Sequence, residues 1–161
     1  MLEKMELESI GFVKTKAVGK GVRDRSNISQ IVLHRSLAEA LHGIEEFSHL
    51  FVVFWMHKIP EEDSRKLKVR PRGRKDMPLL GVFATRTPYR PNPIGLTLVE
   101  VLGVEDNIVT VRGLDAVNGT PILDIKPFDS WDVAENAKIP DWWMRLERNR
   151  KLIPTSSDSS Q

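Results

Sequence analysis

The chain of 161 residues contains no cysteine, which excludes a disulfide framework and a thiolate zinc site and removes one usual sign of secretion. Its first residues, Met1-Leu2-Glu3-Lys4-Met5-Glu6, carry no apolar signal segment, and the longest apolar run, Leu50 to Met56, is far too short to span a bilayer. A soluble, cytoplasmic protein with no membrane partner is expected. The four histidines, His34, His42, His49 and His57, stand on separate elements with no carboxylate at a metal-ligand spacing, so no metal site is expected. Gly19-Lys20-Gly21 matches two of the three glycines of a dinucleotide fingerprint, but no βαβ unit surrounds it. A phosphate-binding P-loop and a glycine-framed nucleophilic serine are also absent. Lys and Arg outnumber Asp and Glu by only 24 to 22, so net charge is weak ground for a nucleic-acid partner.

What is present is a β-rich pattern. Ser9 to Thr15 and Gln30 to His34 read as strands on either side of a polar loop, Lys16 to Ser29. Ser36-Leu37-Ala38-Glu39 has the form of a capping box, with Gly43 as a stop, and predicts a helix of about two turns. The run from Leu50 to Met56 suits a central strand buried on both faces. Leu79 to Thr85 predicts a strand, Ile94 to Val104 and Ile108 to Arg112 a hairpin, and Pro121 to Ile125 a last strand. Pro140 opens a helix that groups Trp142, Trp143 and Leu146 on one face. With no regular βαβ alternation, the fold class is mainly β, a barrel or strongly curved sheet with short flanking helices. One domain is expected over residues 1–153, followed by a polar tail, 154–161, without an apolar anchor and expected to be disordered.

Three segments carry candidate chemistry. Between Thr87 and Asn92 and on to Ile94, Pro88, Pro91 and Pro93 exclude a helix and stiffen a loop that displays Arg86, Tyr89, Arg90 and Asn92. Such a loop can hold arginine forks for carboxylate or phosphate and an amide for a base edge, or simply connect two strands. Leu114-Asp115-Ala116-Val117-Asn118-Gly119 places an Asn-Gly turn near two carboxylates, Asp115 and Asp124. The stretch from Glu61 to Asp76 gathers seven Lys and Arg residues around Pro71 and Gly73 and reads as a mobile basic loop. It either tracks a phosphate backbone or is a solvated charge run.

Glu46-Phe47-Ser48-His49-Leu50, Gly81 to Leu96 with its Arg90-Pro91-Asn92-Pro93-Ile94-Gly95 block, and Asp115 to Pro127 together resemble the TrmO family of tRNA N6-threonylcarbamoyladenosine methyltransferases. The similarity runs from about Ser9 to Phe128. It implies a single-sheeted, non-Rossmann β-barrel methyltransferase, a homodimer with S-adenosylmethionine at or near the subunit interface, and methyl transfer to N6 of a modified adenosine beside the tRNA anticodon. By position in the shared motifs, His57, Lys58, Arg86, Leu96, Leu114 and Asp115 would contact the cofactor. Arg90, Asn92 and Lys126 would serve the RNA, and Asp124 or Asp115 would take the N6 proton, with no sequence feature deciding between them. The polar stretch from Gly19 to Ser29 differs from the Arg-Gln-Pro-Gly type segment of bacterial members, so no cofactor contact carries over to it. Two rival readings are a non-catalytic RNA-binding domain and a methyltransferase of the same fold with another substrate.

Overall fold

The central apolar run becomes β3 (His49–Trp55), in which burial alternates: Leu50, Val52 and Phe54 are buried, while Phe51, Val53 and Trp55 are half-buried. The expectation of burial on both faces is corrected here, because β3 is one stave of a barrel and only its inner face meets the core. The computed structural model describes residues 3–147. In it, β1 (Gly11–Lys14), β2 (Ile28–Leu33), β7 (Ile108–Arg112), β6 (Ile94–Glu105), β3 and β8 (Pro121–Pro127) close in that order, every neighbouring pair antiparallel. The expected single β-barrel is what the chain forms. Inward-facing β-branched and aliphatic residues fill it, among them Val13, Ile31, Leu50, Val52, Val99 and Ile122, all fully buried. Closure gives every strand a neighbour on both sides and so removes most of the free sheet edge that would otherwise invite pairing with other chains.

Antiparallel pairing around a closed sheet sorts the connections by end. Residues 15–27, 56–93 and 113–120 all join strands at one end of the barrel. The tight β6–β7 turn, with Asp106 at φ 51°, and the segment from His34 to Ser48 lie at the other.

Three local expectations are revised. The predicted helix after Ser36 is a 3-10 helix, Arg35–Leu41, in which backbone bonds span three residues, as from Leu37 to His34 at 2.9 Å. The cap is His34, whose ring nitrogen accepts from the Ser36 amide, and only Leu41 is buried to dock the turn. Gly43, at φ 86°, ends it as expected. The predicted strand from Leu79 to Thr85 is reduced to β5 (Leu80–Gly81), because the chain then turns through a 3-10 helix, Val82–Ala84, closed by the Thr85 hydroxyl donating to the Val82 carbonyl at 2.8 Å. The basic stretch is built rather than irregular: α1 (Glu61–Ser64), then β4 (Lys68–Val69) paired with β5, with Pro71 and Met77 buried beneath.

The C-terminal helix α2 (Asp141–Glu147) forms as predicted, with Leu146 buried and Trp142 and Trp143 half-buried edge to face at 5.5 Å. The tail at 154–161 lies outside the described residues. Among the described residues no helix is long and apolar enough to cross a membrane.

Gly95 pairs with Phe54 across β6 and β3, and a Cβ added to it would meet the Phe54 ring at 2.3 Å. Phe54 is itself buried and cannot swing aside. Replacing Gly95 by alanine is expected to lower stability by about 1–3 kcal/mol through overpacking, read as a shift of the denaturation midpoint in urea.

Candidate functional site

Most of the residues singled out from sequence meet at the end of the barrel where residues 15–27, 56–93 and 113–120 connect the strands. His57 and Lys58 follow directly on β3 and are exposed. The Met56 amide donates to the Pro93 carbonyl at 2.8 Å, which ties the His57-Lys58 turn to the proline-rich loop. On that loop Arg86 donates from Nη2 to the Leu96 carbonyl at 2.6 Å. Arg90 donates from Nη1 to the carbonyls of Thr85, at 3.5 Å, and Thr87, at 3.3 Å, bracing the loop from within. Asn92 is exposed, and its backbone carbonyl accepts from the Ile94 amide at 2.7 Å.

Leu96 owes its availability to the unequal lengths of β6 and β7. β7 pairs β6 only from Glu100 onward, so residues 94–99 of β6 are paired on the β3 side alone. The outward edge would present bare carbonyls, and two arginines from different loops take them: Arg86 on Leu96, and Arg25 on Leu98 at 2.8 Å. A guanidinium bond to a backbone carbonyl is charge-assisted on the donor side, which makes it stronger than a neutral one. Arg25 went unnoticed in the sequence, because it lies in the polar stretch after β1 that offered no recognisable pattern.

Leu114 and Asp115 follow β7. Leu114 is 1% exposed and belongs to the core, so it offers its backbone rather than its side chain to a ligand. Asp115 accepts from the hydroxyl of Thr97, which is 4% exposed on the inner face of β6. Thr97 was also missed, although a lone hydroxyl in the alternation Leu96-Thr97-Leu98-Val99 marks a polar group pointing inward on a strand. The loop is stitched to β1 where Asn118 accepts from the Thr15 amide at 3.0 Å and Gly119, at φ 78°, donates to Val13 at 2.8 Å. The Asn-Gly turn is as expected.

Asp124 and Lys126 stand on β8 rather than on the rim connections, and each is one strand from the exposed half of β6: Asp124 and Leu96 both pair with Val53, and Lys126 and Leu98 both pair with Phe51. The β3–β8 register shifts at Val53/Phe54, so that Phe54 pairs with Ile122, Val53 with Asp124 and Phe51 with Lys126. The bulge reverses which side Asp124 faces: counted by twos from Ile122 it would enter the core, but it lies with Val53 on the outer wall. There it pairs with Lys126 at 2.9 Å and accepts from the Ile125 amide at 2.9 Å.

The basic stretch is partly neutralised by itself. Arg65 pairs with Glu61, Lys66 with Asp63 and Arg74 with Asp76, while Arg70 donates to the Met77 carbonyl. The Arg74 guanidinium bonded to Asp76 holds that carboxyl below the ordinary carboxylate range, with Arg145 of α2 adding to the effect. Exposed pairs of this kind are weak, and their cations remain able to exchange partners. A groove of about 720 Å³ lies at the opposite end, lined by Ala38, Leu41, His42 and the carboxylates of Glu39, Glu45 and Asp106. It contains none of the candidate residues, and its acidic lining suits neither a phosphate nor a carboxylate. Among the described residues no three His, Asp or Glu side chains converge as metal ligands.

Residues 14–132 match the model of the tRNA-methyltransferase O N-terminal domain. An Archaeoglobus fulgidus protein named as an S-adenosyl-L-methionine-binding protein is 41% identical over 129 residues, covering 77% of this chain and 89% of that one. The human tRNA (adenine(37)-N6)-methyltransferase is 40% identical over 121 residues, which are 74% of this chain and 27% of the human one. The crystal structure of TrmO from Pseudomonas aeruginosa superposes with a TM-score of 0.68 at 28% identity, covering 84% of this chain and 62% of that one. The barrel, the proline-rich loop and the match over most of its length place this chain in the tRNA-methyltransferase O family.

Proposed function

We propose that this protein is a cytoplasmic S-adenosylmethionine-dependent methyltransferase that modifies N6 of N6-threonylcarbamoyladenosine next to the tRNA anticodon, and that it acts as a homodimer. The observation that carries the reading is the meeting of Arg86 with the unpaired edge of β6 at Leu96, at the barrel end that also holds Asp115 and the His57-Lys58 turn.

The chemistry of this end fits the cofactor. Leu96, 48% exposed, and Ile94, 37% exposed, offer apolar surface for an adenine. Arg86 and Lys58 offer cations for a carboxylate, and Asp115 offers an anion for an ammonium or a pair of ribose hydroxyls. When bound, S-adenosylmethionine supplies an electrophilic methyl group open to in-line displacement. The residues of the chain then have to hold donor and acceptor in line, which is positioning more than acid–base work. Thr97 fixes one oxygen of Asp115, so the other keeps a defined direction. Because the N6 hydrogen of a urea-like group is comparatively acidic, a modest base suffices, and two carboxylates stand near Leu96 to take it: Asp115, held by Thr97, and Asp124, which shares Val53 with Leu96. Asp124 and Lys126, on the outer wall, would serve a substrate or partner lying along it.

The bonds of Arg90 to Thr85 and Thr87 use Nη1 and leave Nη2 and Nε for the threonyl carboxylate of the substrate. Plain adenosine would leave that fork unmatched. The dimer reading rests on the outer wall, where Ile94 and Leu96 are exposed beside the half-buried Phe51, Val53 and Trp55.

Calorimetric titration with S-adenosylmethionine should give binding, and Arg86→Ala should weaken it by about 1.5–3 kcal/mol. Unchanged affinity in the folded variant would remove Arg86 from the site. Light scattering should give twice the 18.3 kDa of one chain at micromolar concentration, and a monomer mass would count against the dimer. With labelled cofactor, tRNA already carrying N6-threonylcarbamoyladenosine should be methylated and unmodified transcript left untouched. Equal methylation of both, or none of either by a protein that binds cofactor, would overturn the substrate assignment.

A further inference from the structure

We propose that Phe83 is a stacking platform for an unpaired RNA base flanking the target adenosine, with Arg90 set against the ring. This rests on the tRNA reading above and extends it to a residue and an interaction.

Phe83 is 77% exposed in a short turn whose neighbours are not: Val82 is 2% and Thr85 8% exposed. The turn is already anchored by Val82 below and by the Thr85 hydroxyl bond, so Phe83 adds nothing to its hold on the barrel. Leaving a side chain of this size in water forgoes the stabilisation its burial would bring. The Arg90 guanidinium lies 5.9 Å from the ring centroid, held there by the carbonyls of Thr85 and Thr87, and the rest of the ring faces solvent. Tyr89, further along the same loop and 37% exposed, carries Lys66 over its ring at 5.0 Å. Tyr89 sits on the loop stiffened by three prolines, and Phe83 on the turn that leads into it, each matched with a cation.

Charge decides which occupant this surface suits. An apolar protein surface packed on Phe83 would have to strip water from the Arg90 guanidinium, of which only Nη1 is bonded to the Thr85 and Thr87 carbonyls, and would give the rest of it no partner. A nucleotide supplies a flat base for the ring and a phosphate for the cations, and every base has a face to stack. The position agrees as well, since Phe83 stands three residues before Arg86, whose guanidinium is bonded at Leu96 beside the candidate cofactor site.

The test uses the full chain and a fluorescent anticodon stem-loop RNA with N6-threonylcarbamoyladenosine at the target position, followed by anisotropy. Phe83→Ala should weaken RNA binding about 5- to 150-fold, the equivalent of one base–aromatic stack of roughly 1–3 kcal/mol. Phe83→Leu, which keeps apolar area but has no aromatic face, should lose as much, and Phe83→Trp should retain affinity. At one nucleotide next to the target, an abasic substitution should cost the wild-type protein the same factor and the Phe83→Ala protein almost nothing, because the two changes remove one contact. Cofactor affinity and molecular mass should not change. RNA binding that is indifferent to Phe83→Ala, or a loss accompanied by a fall in mass that marks Phe83 as a contact between subunits, would overturn the proposal. Wild-type protein that binds cofactor but no RNA would overturn the tRNA reading itself.

Discussion

Everything at the candidate site depends on the closure of the barrel through β1, a strand of four residues that pairs with β2 along its whole length and with β8 at Gly11 and Phe12 alone. So short a seam works because the strands approach closely. A Cβ on Gly11 would lie 2.3 Å from the Val32 carbonyl and 2.7 Å from the Leu33 Cα, both backbone atoms that the β1–β2 ladder holds in place. The Ile10 amide extends the seam by donating to the Ile122 carbonyl at 2.9 Å, and Val13 does the same to Thr120 at 2.9 Å. With the seam closed, strand direction alone decides where each connection emerges. Three loops far apart in sequence then share one rim, and Arg25, Arg86 and Asp115 become neighbours of the same half-strand.

That half-strand, residues 94–99 of β6, is where the closed sheet is left incomplete. β6 has 12 residues and β7 five, so β7 cannot cover the whole of its neighbour. An exposed edge is a liability, and here it is managed by arginine side chains in place of another strand. A side chain that caps an edge reaches it from a loop, and so carries that loop to the edge with it. The structural need to satisfy the Leu96 and Leu98 carbonyls therefore also assembles cations at the rim.

Strand content was legible in the sequence because burial on one face imposes a period of two, and the hairpin of β6 and β7 was bounded to within a residue or so by Glu105-Asp106-Asn107. The segments that misled were those in which local chemistry competes with the pattern. His34 displaced Ser36 as a cap, the Thr85 hydroxyl turned the chain where β propensity favoured a strand, and the carboxylates of Glu61, Asp63 and Asp76 organised a stretch that composition marked as irregular. For the site, the proline-rich loop announced itself, whereas Asp115, beside an Asn-Gly turn that need only reverse the chain, was singled out by the family resemblance. Arg25 and Thr97 did not stand out, because each acts through a contact made across the fold. The side taken by Asp124 was beyond any count along the chain, since it turns on one bulged residue whose place is set by pairing with β3.

The Arg90-Pro91-Asn92-Pro93-Ile94-Gly95 block shows how structural and chemical demands share one run of residues. Gly95 is needed by the Phe54 ring, and Pro93 is buried, with its carbonyl taking the Met56 amide. These two residues fasten the block to β3 and account for part of its distinctiveness without any reference to a ligand. Arg90 and Asn92 alternate with the prolines, and proline's fixed φ limits the conformations between them. Asn92 thereby stays exposed while its own carbonyl is engaged by Ile94, and Arg90 stays bent back on Thr85 and Thr87. A loop free to move would have to be ordered each time it met a large, flexible substrate, and that cost would be subtracted from binding. Here much of the ordering is done when the barrel folds, because the residues that hold the loop are the ones that complete β6.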